Sequence, residues 1–257
     1  MPTAAAHAPP NVSLVDLNVD LAEGFPYDTE LLSLVTSANV ACGGHAGSRA
    51  DREVALLAAA DRGVAVGAHP GYPDRARFGR RVLEMPASAL LGTLVEQVRG
   101  LQRLADELDV PGPRYLKPHG ALYHRAAADA ATARVVVAVA AACGLSGLLH
   151  APGALTARLA AAAGVTTYAE GFADRRYRSD GGLVARGEPG ATLAGTEAAA
   201  QAVALAERRA PPACPAYRPP PLASVCVHGD GRGAVATARA VWEALLRGGP
   251  GLASFLP

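Results

Sequence analysis

Five of the seven histidines in this 257-residue chain fall where an apolar run stops. They are His45 in NVACGGHAG, His69 in GAHPGYPD, His119 in KPHG, His150 in LLHAPG and His228 in VHGDG. An imidazole titrates near neutrality, moves protons and binds metals. One such residue in a turn is most simply bonded to a carbonyl. Five of them at the ends of apolar runs argue for a shared site, with His150 its weakest member. Carboxylates point the same way. In DLNVDL, Asp16, Asn18 and Asp20 alternate with Leu17, Val19 and Leu21, so a strand would put the three polar groups on one face. An edge strand with a wet face would account for this. In a strand covered on both sides, carboxylates are costly unless paired, which favours a functional reading. Glu23 follows in the next loop and can reach the same place.

Two further stretches carry charge into the pattern. RYLKPH reads as a strand over 114–119, which puts Lys117 and His119 on one face. A buried lysine can neutralise Asp20, or it can stabilise charge that develops on an oxygen. After the sixth apolar run, EGFADRRYRSDGGLVARGEPGA carries Glu170, Asp174, Arg175, Arg176, Arg178 and Arg186 on one long loop. Clustered arginines suit capture of a carboxylate or phosphate. HGDGRG, with His228 and Asp230, opens the last helix, where free N–H groups favour an anion.

The elements that must position these residues alternate regularly. Apolar runs read as strands near 14–21, 37–42, 64–69, 114–119, 145–151, 165–172 and 223–229. Helical patterns lie between them near 28–35, 48–62, 86–109, 129–143, 153–163, 193–209 and 231–247. Ser48 with Asp51 three positions on is a capping-box variant. Val235, Ala238, Trp242 and Leu245 share a face of the last helix. Such alternation predicts a parallel sheet with helices outside. No strand is followed by GxGxxG, and polar residues gather at many strand ends, so a barrel is favoured over an open sheet. Seven strands, against the usual eight, imply a distorted (β/α) barrel. PPACPAYRPPP at 211–221 precedes one strand and one helix, too little for a domain, and reads as a surface loop. The expected division is a flexible tail over 1–13 and a single barrel domain over 14–257.

Composition excludes several classes. A net charge of +1 without like-charge runs argues against nucleic acid or an anionic membrane as partner. No apolar stretch is long enough to read as membrane-spanning, and the first residues lack the features of a secretory signal. Four scattered cysteines without a CxxC pair fit a reduced, cytoplasmic protein. The chain has no GxxxxGK[ST], GxSxG or HExxH motif.

Six ordered motifs, VDLNVDLAEGF, SANVACGGHAG, GVAVGAHPGYPDRARFGRR, LKPHGALYH, EGFADRRYRSDGGLVAR and VCVHGDG, resemble the LamB/YcsF family, the A subunits of bacterial ATP-dependent 5-oxoprolinases. The resemblance spans nearly the whole chain. It implies a seven-stranded distorted (β/α) barrel related to the metal-dependent deacetylases. It implies ring opening of 5-oxo-L-proline to L-glutamate, with ATP as co-substrate and partner subunits B and C that phosphorylate the lactam. The catalytic candidates carried over are Asp20 for water activation, Lys117 for the oxyanion, and His45 and His119 for proton transfer. The substrate-binding candidates are Asn18, Glu23, His69, Asp174, Arg175, His228 and Asp230. An aspartate with two histidines is able to hold zinc, but the resemblance names no metal and none is assigned. Two rival readings use the same residues: a metal-dependent amide hydrolase or carbohydrate deacetylase, and a non-catalytic substrate-binding subunit. The chain departs from the family pattern at Ala22, Gly44 and Ser48, where Gly, Phe and Asp are usual. Gly44 is expected to reshape the pocket floor beside His45.

Overall fold

The computed structural model describes residues 14–256, so the tail expected over 1–13 lies outside the described residues. Seven parallel strands pair in chain order: β1 Asp16–Leu21, β2 Ser37–Ala41, β3 Ala65–His69, β4 Tyr115–Leu116, β5 Gly147–His150, β6 Thr166–Phe172 and β7 Ser224–His228. β7 closes the barrel on β1, with Asp20 opposite His228. Helices α1 Asp28–Leu31, α2 Arg49–Arg62, α3 Ala87–Glu107, α4 Gly120–Ala128, α5 Ala130–Ala142, α6 Leu155–Ala162, α7 Gly195–Ala206 and α8 Ala234–Gly248 connect them. The seven-stranded (β/α) barrel expected from the alternation is therefore the fold. Its distortion lies at β4, where two residues pair on each side.

Local chemistry explains most boundaries. Ser48 caps α2 by accepting from the Asp51 N–H while Asp51 accepts from the Ser48 N–H, which satisfies two free donors of the first turn. Leu90, Leu94, Val98 and Leu101 form the buried stripe of α3. In α8 the buried face is Ala234, Thr237, Ala238, Val241 and Leu245, while Val235 and Trp242 are half-buried, so the face is rotated from the expected one. The proline-rich stretch between α7 and β7 is a loop, tied down where Tyr217 stacks on Tyr177 at 4.9 Å.

Two expectations need correction. The first helix is a single turn and not 28–35. The fourth strand ends at Leu116 and not at His119, because Pro118 has no N–H for the ladder. The backbone stays extended nonetheless: the Lys117 N–H donates to the Ala68 carbonyl and the His119 N–H to the Pro70 carbonyl. His119 is then the extended cap of α4, a helix that the flanking Pro118 and Gly120 disguise as a loop.

Inside the barrel the polar alternation of β1 is realised. Leu17, Val19 and Leu21 join the apolar core, while Asp16, Asn18 and Asp20 make buried polar bonds to the other strands. Asp16 accepts from the Thr36 hydroxyl at 2.6 Å, from Ser37 at 2.8 Å and from Ser224. Burial outweighs these bonds and raises its pKa from 3.8 to about 6. The folded chain thus favours neutral Asp16. The stability it contributes is present below pH 4 and is lost as pH rises through about 6. Asp16→Asn stays uncharged and is expected to avoid that loss, about 3 kcal/mol. Melting curves of both proteins from acid to neutral pH check this. The variant should gain on the parent across the interval, and parallel curves would refute the assignment.

Candidate functional site

Lys117 lies where the barrel interior meets its mouth. Its ammonium donates to Asp20 Oδ1 at 3.0 Å and Asn18 Oδ1 at 3.2 Å, and pairs with Glu170 Oε2 at 3.1 Å. Cys226 Sγ is 3.1 Å away. Burial alone would lower the lysine pKa, but Asp20, Cys226 and Glu170 hold it well above its ordinary value. Burial alone would raise Asp20, but Lys117 and His69 hold it well below the usual carboxylate range. Asp20 Oδ1 also accepts from the Asn39 amide at 2.9 Å, while Oδ2 lies 3.5 Å from His69 Nε2.

Above this ion pair the histidines converge as expected. His69 Nδ1 contacts the Lys117 carbonyl at 2.8 Å, and His69 Nε2 faces His119 Nδ1 at 2.9 Å. His45 stacks on His119 with ring centroids 3.6 Å apart and planes at 4°. Glu23 Oε1 reaches His45 Nε2 at 3.1 Å and His119 Nδ1 at 3.2 Å. Burial pushes His69 down to about 3 and lowers His45. A glycine wall holds the rings. A Cβ on Gly79, whose φ is +61°, would sit 2.7 Å from His45 Cβ and 3.0 Å from His119 Cδ2.

His228 pairs with Asp174, which accepts from its N–H and its Nδ1, both at 2.9 Å. Burial would lower His228, but the Asp174 charge raises it. A cavity of about 650 Å³ opens onto Asp20, His69, Lys117, His119, Arg175 and His228. The other candidates do not line it. Asn18 is bound to Ser224, Glu170 and Asn39 inside the barrel, so contact with substrate is not its position. Glu23, His45 and Asp174 stand behind the lining residues. Asp230 is bonded to Arg80 and Arg186. His150, which donates to the Ala151 carbonyl, lies outside the cavity lining.

The arginine loop folds back across the mouth through bridges Arg175–Thr192 and Tyr177–Leu183. Arg176 turns away to the Gly190 carbonyl. Arg175, 6% exposed, donates from Nη2 to the Val184 carbonyl, while its buried Nε has no partner. That N–H is an uncommitted donor on a residue that lines the cavity. Sequence reasoning left out Arg80, Tyr123, His124 and Phe172, which also line the cavity, and it placed Glu170 on the loop. Glu170 is in fact an interior residue of β6, and its signal was a lone carboxylate within the run TTYAEGF.

The family departures also find places. Ala22 has φ 58°, a left-handed turn that glycine adopts without cost, and its N–H donates to Asp28 Oδ2. A Cβ on Gly44 would meet the Gln97 amide at 2.4 Å, and Gln97 clamps both backbone groups of Gly71. Gly44 lines a second cavity and not the one that holds the histidines, so the expected reshaping of the pocket floor beside His45 is corrected. Phe78 supplies an aromatic against His45 at 5.7 Å.

This geometry occurs in a chain whose residues 15–256 match the profile of the LamB/YcsF family. It is 41% identical over 250 residues to the A subunit of a 5-oxoprolinase from Streptomyces coelicolor, covering 94% of this chain and all of that one. It is 44% identical over 252 residues to the corresponding 5-oxoprolinase protein of Paracidovorax citrulli, covering 94% and 99%. The crystal structure of a lactam utilization protein from Thermus thermophilus superposes with a TM-score of 0.83 at 33% identity, covering 95% of this chain and 100% of that one. The chain belongs to the LamB/YcsF family.

The ion pair at the barrel mouth gives a direct test. Lys117→Met removes the cation between two buried carboxylates and is expected to destabilise the fold by about 3–5 kcal/mol. Thermal melting reads this. Near-parental melting would instead leave the ammonium free for a purely catalytic role.

Proposed function

We propose that this LamB/YcsF chain opens 5-oxo-L-proline to L-glutamate as the A subunit of an ATP-using assembly with partner subunits B and C in the cytoplasm. The observation that carries the reading is the cavity itself. It sets an acid–base cluster at its floor against an uncommitted buried arginine N–H at its rim, in a chain 41% identical to the A subunit of a 5-oxoprolinase. The substrate is a small lactam bearing one carboxylate, which matches one anion donor and one hydrolytic floor.

In this reading Arg175 Nε donates to the substrate carboxylate. The partners transfer phosphate from ATP to the lactam oxygen, because this chain has no phosphate loop of its own. Asp20, held ionised by Lys117, takes the proton of the attacking water. Addition of that water and cleavage of the C–N bond give a carboxyl phosphate. The ring nitrogen takes up the proton that Asp20 removed from the water. A second water then yields glutamate and phosphate. Lys117 keeps Asp20 charged, and the Lys117 charge lies close to where the oxyanion forms. The four cysteines are buried and unpaired, in keeping with a reducing compartment.

Two measurements test the reading. The isolated chain should form no appreciable glutamate from 5-oxoproline and ATP, whereas a mixture with both partners should. Equal rates from the chain alone would refute the assembly. In the reconstituted system Arg175→Ala should raise KM by roughly 10–100-fold, the loss of one charge-assisted bond, with a smaller effect on kcat. An unchanged KM would remove Arg175 from the carboxylate site.

A further inference from the structure

Proton positions on the two central histidines follow from their carbonyl partners. A carbonyl oxygen accepts and cannot donate. His69 Nδ1 lies 2.8 Å from the Lys117 carbonyl, and His119 Nε2 lies 2.9 Å from the Phe78 carbonyl, so these two nitrogens carry the ring protons. The opposite nitrogens, His69 Nε2 and His119 Nδ1, are then bare, and they face each other at 2.9 Å. Glu23 Oε1 closes on the same point, 3.2 Å from His119 Nδ1 and 3.9 Å from His69 Nε2. Three electron pairs thus meet in a buried place. The ion-pair partners of Glu23 among the described residues are imidazoles, with no lysine or arginine. A buried carboxylate facing two bare ring nitrogens calls for a cation between them.

We infer that this point is a binding site for a divalent transition-metal ion of the zinc class, held by His69 Nε2, His119 Nδ1 and Glu23 Oε1. Imidazole and carboxylate suit such ions. Tetrahedral bonds of about 2.0–2.2 Å place donors roughly 3.3–3.5 Å apart. The three separations, 2.9, 3.2 and 3.9 Å, bracket that value. The His69 and His119 rings stand at 86°, which lets both lone pairs aim at one point. His45 is not a ligand, because a ring parallel to His119 at 3.6 Å cannot direct its lone pair there. Its Nε2–H instead donates to Glu23 Oε1 and orients the carboxylate. The neighbouring trio Asp20, Cys226 and His228 already has a cation, since Lys117 lies 3.0 Å from Asp20 and 3.1 Å from Cys226. His69, His119 and Asp20 line the cavity, so an ion can enter from it and keep a coordination position facing it. The inference shares the cavity of the proposed reaction and does not rest on that reaction.

The test uses the full chain alone, stripped with chelator and titrated with zinc by calorimetry. Cobalt(II), whose visible absorption reports tetrahedral nitrogen and oxygen ligation, serves as the second probe. One ion per chain is expected, with a melting temperature that rises with zinc concentration. Glu23→Gln, nearly isosteric, and the double variant His69→Gln/His119→Gln should weaken binding on the order of a hundredfold or more. His45→Leu should weaken it by about 10–100-fold while His45→Gln, which keeps an N–H donor, preserves it. Cys226→Ser should leave the affinity unchanged. Melting of each variant without metal identifies any that fail to fold, and the parental cobalt spectrum and zinc-dependent melting shift then decide. A stripped parent that takes up neither ion, or whose melting ignores zinc, overturns the inference in favour of a proton shared by the rings. Binding that survives the double variant, or disappears with Cys226→Ser in a folded chain, overturns it too. Neither partners nor lactam enter these measurements, so an ion bound by a chain that forms no glutamate even when mixed with both partners sinks the oxoprolinase reading and leaves this one standing, and the reverse holds.

Discussion

A lysine ammonium buried between two carboxylates is the constraint on which the rest of the site depends. Lys117 is 2% exposed, and its partners Asp20 and Glu170 come from β1 and β6, with β7 between them. Isolated, any one of these charges would be too costly to bury. Together they form a cross-brace that fixes three strands relative to one another. It also decides which carboxylate faces the cavity. Asp20 has one oxygen bound to Lys117 and Asn39 and its other oxygen turned toward His69, whereas Glu170 lies deeper. The brace thus leaves one ionised oxygen at the mouth.

The brace requires a polar barrel interior, which is unusual for a fold whose interior is commonly filled by branched apolar side chains. Here Asp16, Ser37, Ser224, Asn18, Asn39 and the Tyr115 hydroxyl form a connected hydrogen-bonded column beneath Lys117. Such a network holds geometry more tightly than apolar packing when every member is satisfied. The short β4 belongs to the same design. If the ladder ran through residue 119, His119 would be fixed in the wall of the barrel. Ending it at Leu116 and capping α4 with His119 frees the ring to stack on His45 above the strand ends.

Much of this was legible in the chain. Period-two alternation in DLNVDL places three polar side chains on one face, and they do point inward together. Histidines at the ends of apolar runs do converge, apart from His150. The barrel follows from the strand–helix rhythm. What escaped depended on contacts that no local pattern carries. The helix at Gly120–Ala128 was hidden because its entry has the proline and glycine of a loop. Whether a polar residue lines the cavity or stands behind it is set by strand register and by side chains from elsewhere. Asn18 and Glu23 read as substrate contacts but are taken by neighbours. Of the four arginines from Arg175 to Arg186, only the folded loop singles out Arg175, since Arg176 and Arg186 find partners that sequence spacing does not reveal.

The mouth of the barrel is also divided by charge in a way that limits what can occupy it. On the side of the loop, Arg80 and Arg186 share the single carboxylate of Asp230, and Arg175 adds a third cation with an unpaired donor. That side is net positive. On the strand side, Asp20, Glu170 and Glu23 face one lysine and the imidazoles of His45 and His69, whose protonation burial opposes, so that side is net negative. A ligand that bridges the two must put an anionic group toward the loop and a polarisable or electron-poor group toward the strands. A small molecule with a carboxylate at one end and an acyl carbon at the other meets both demands. The same division explains why the two halves come from different parts of the chain. Rigid strand ends hold the groups whose relative position must be kept within hydrogen-bond tolerance, and the loop supplies charge, whose longer reach tolerates looser placement.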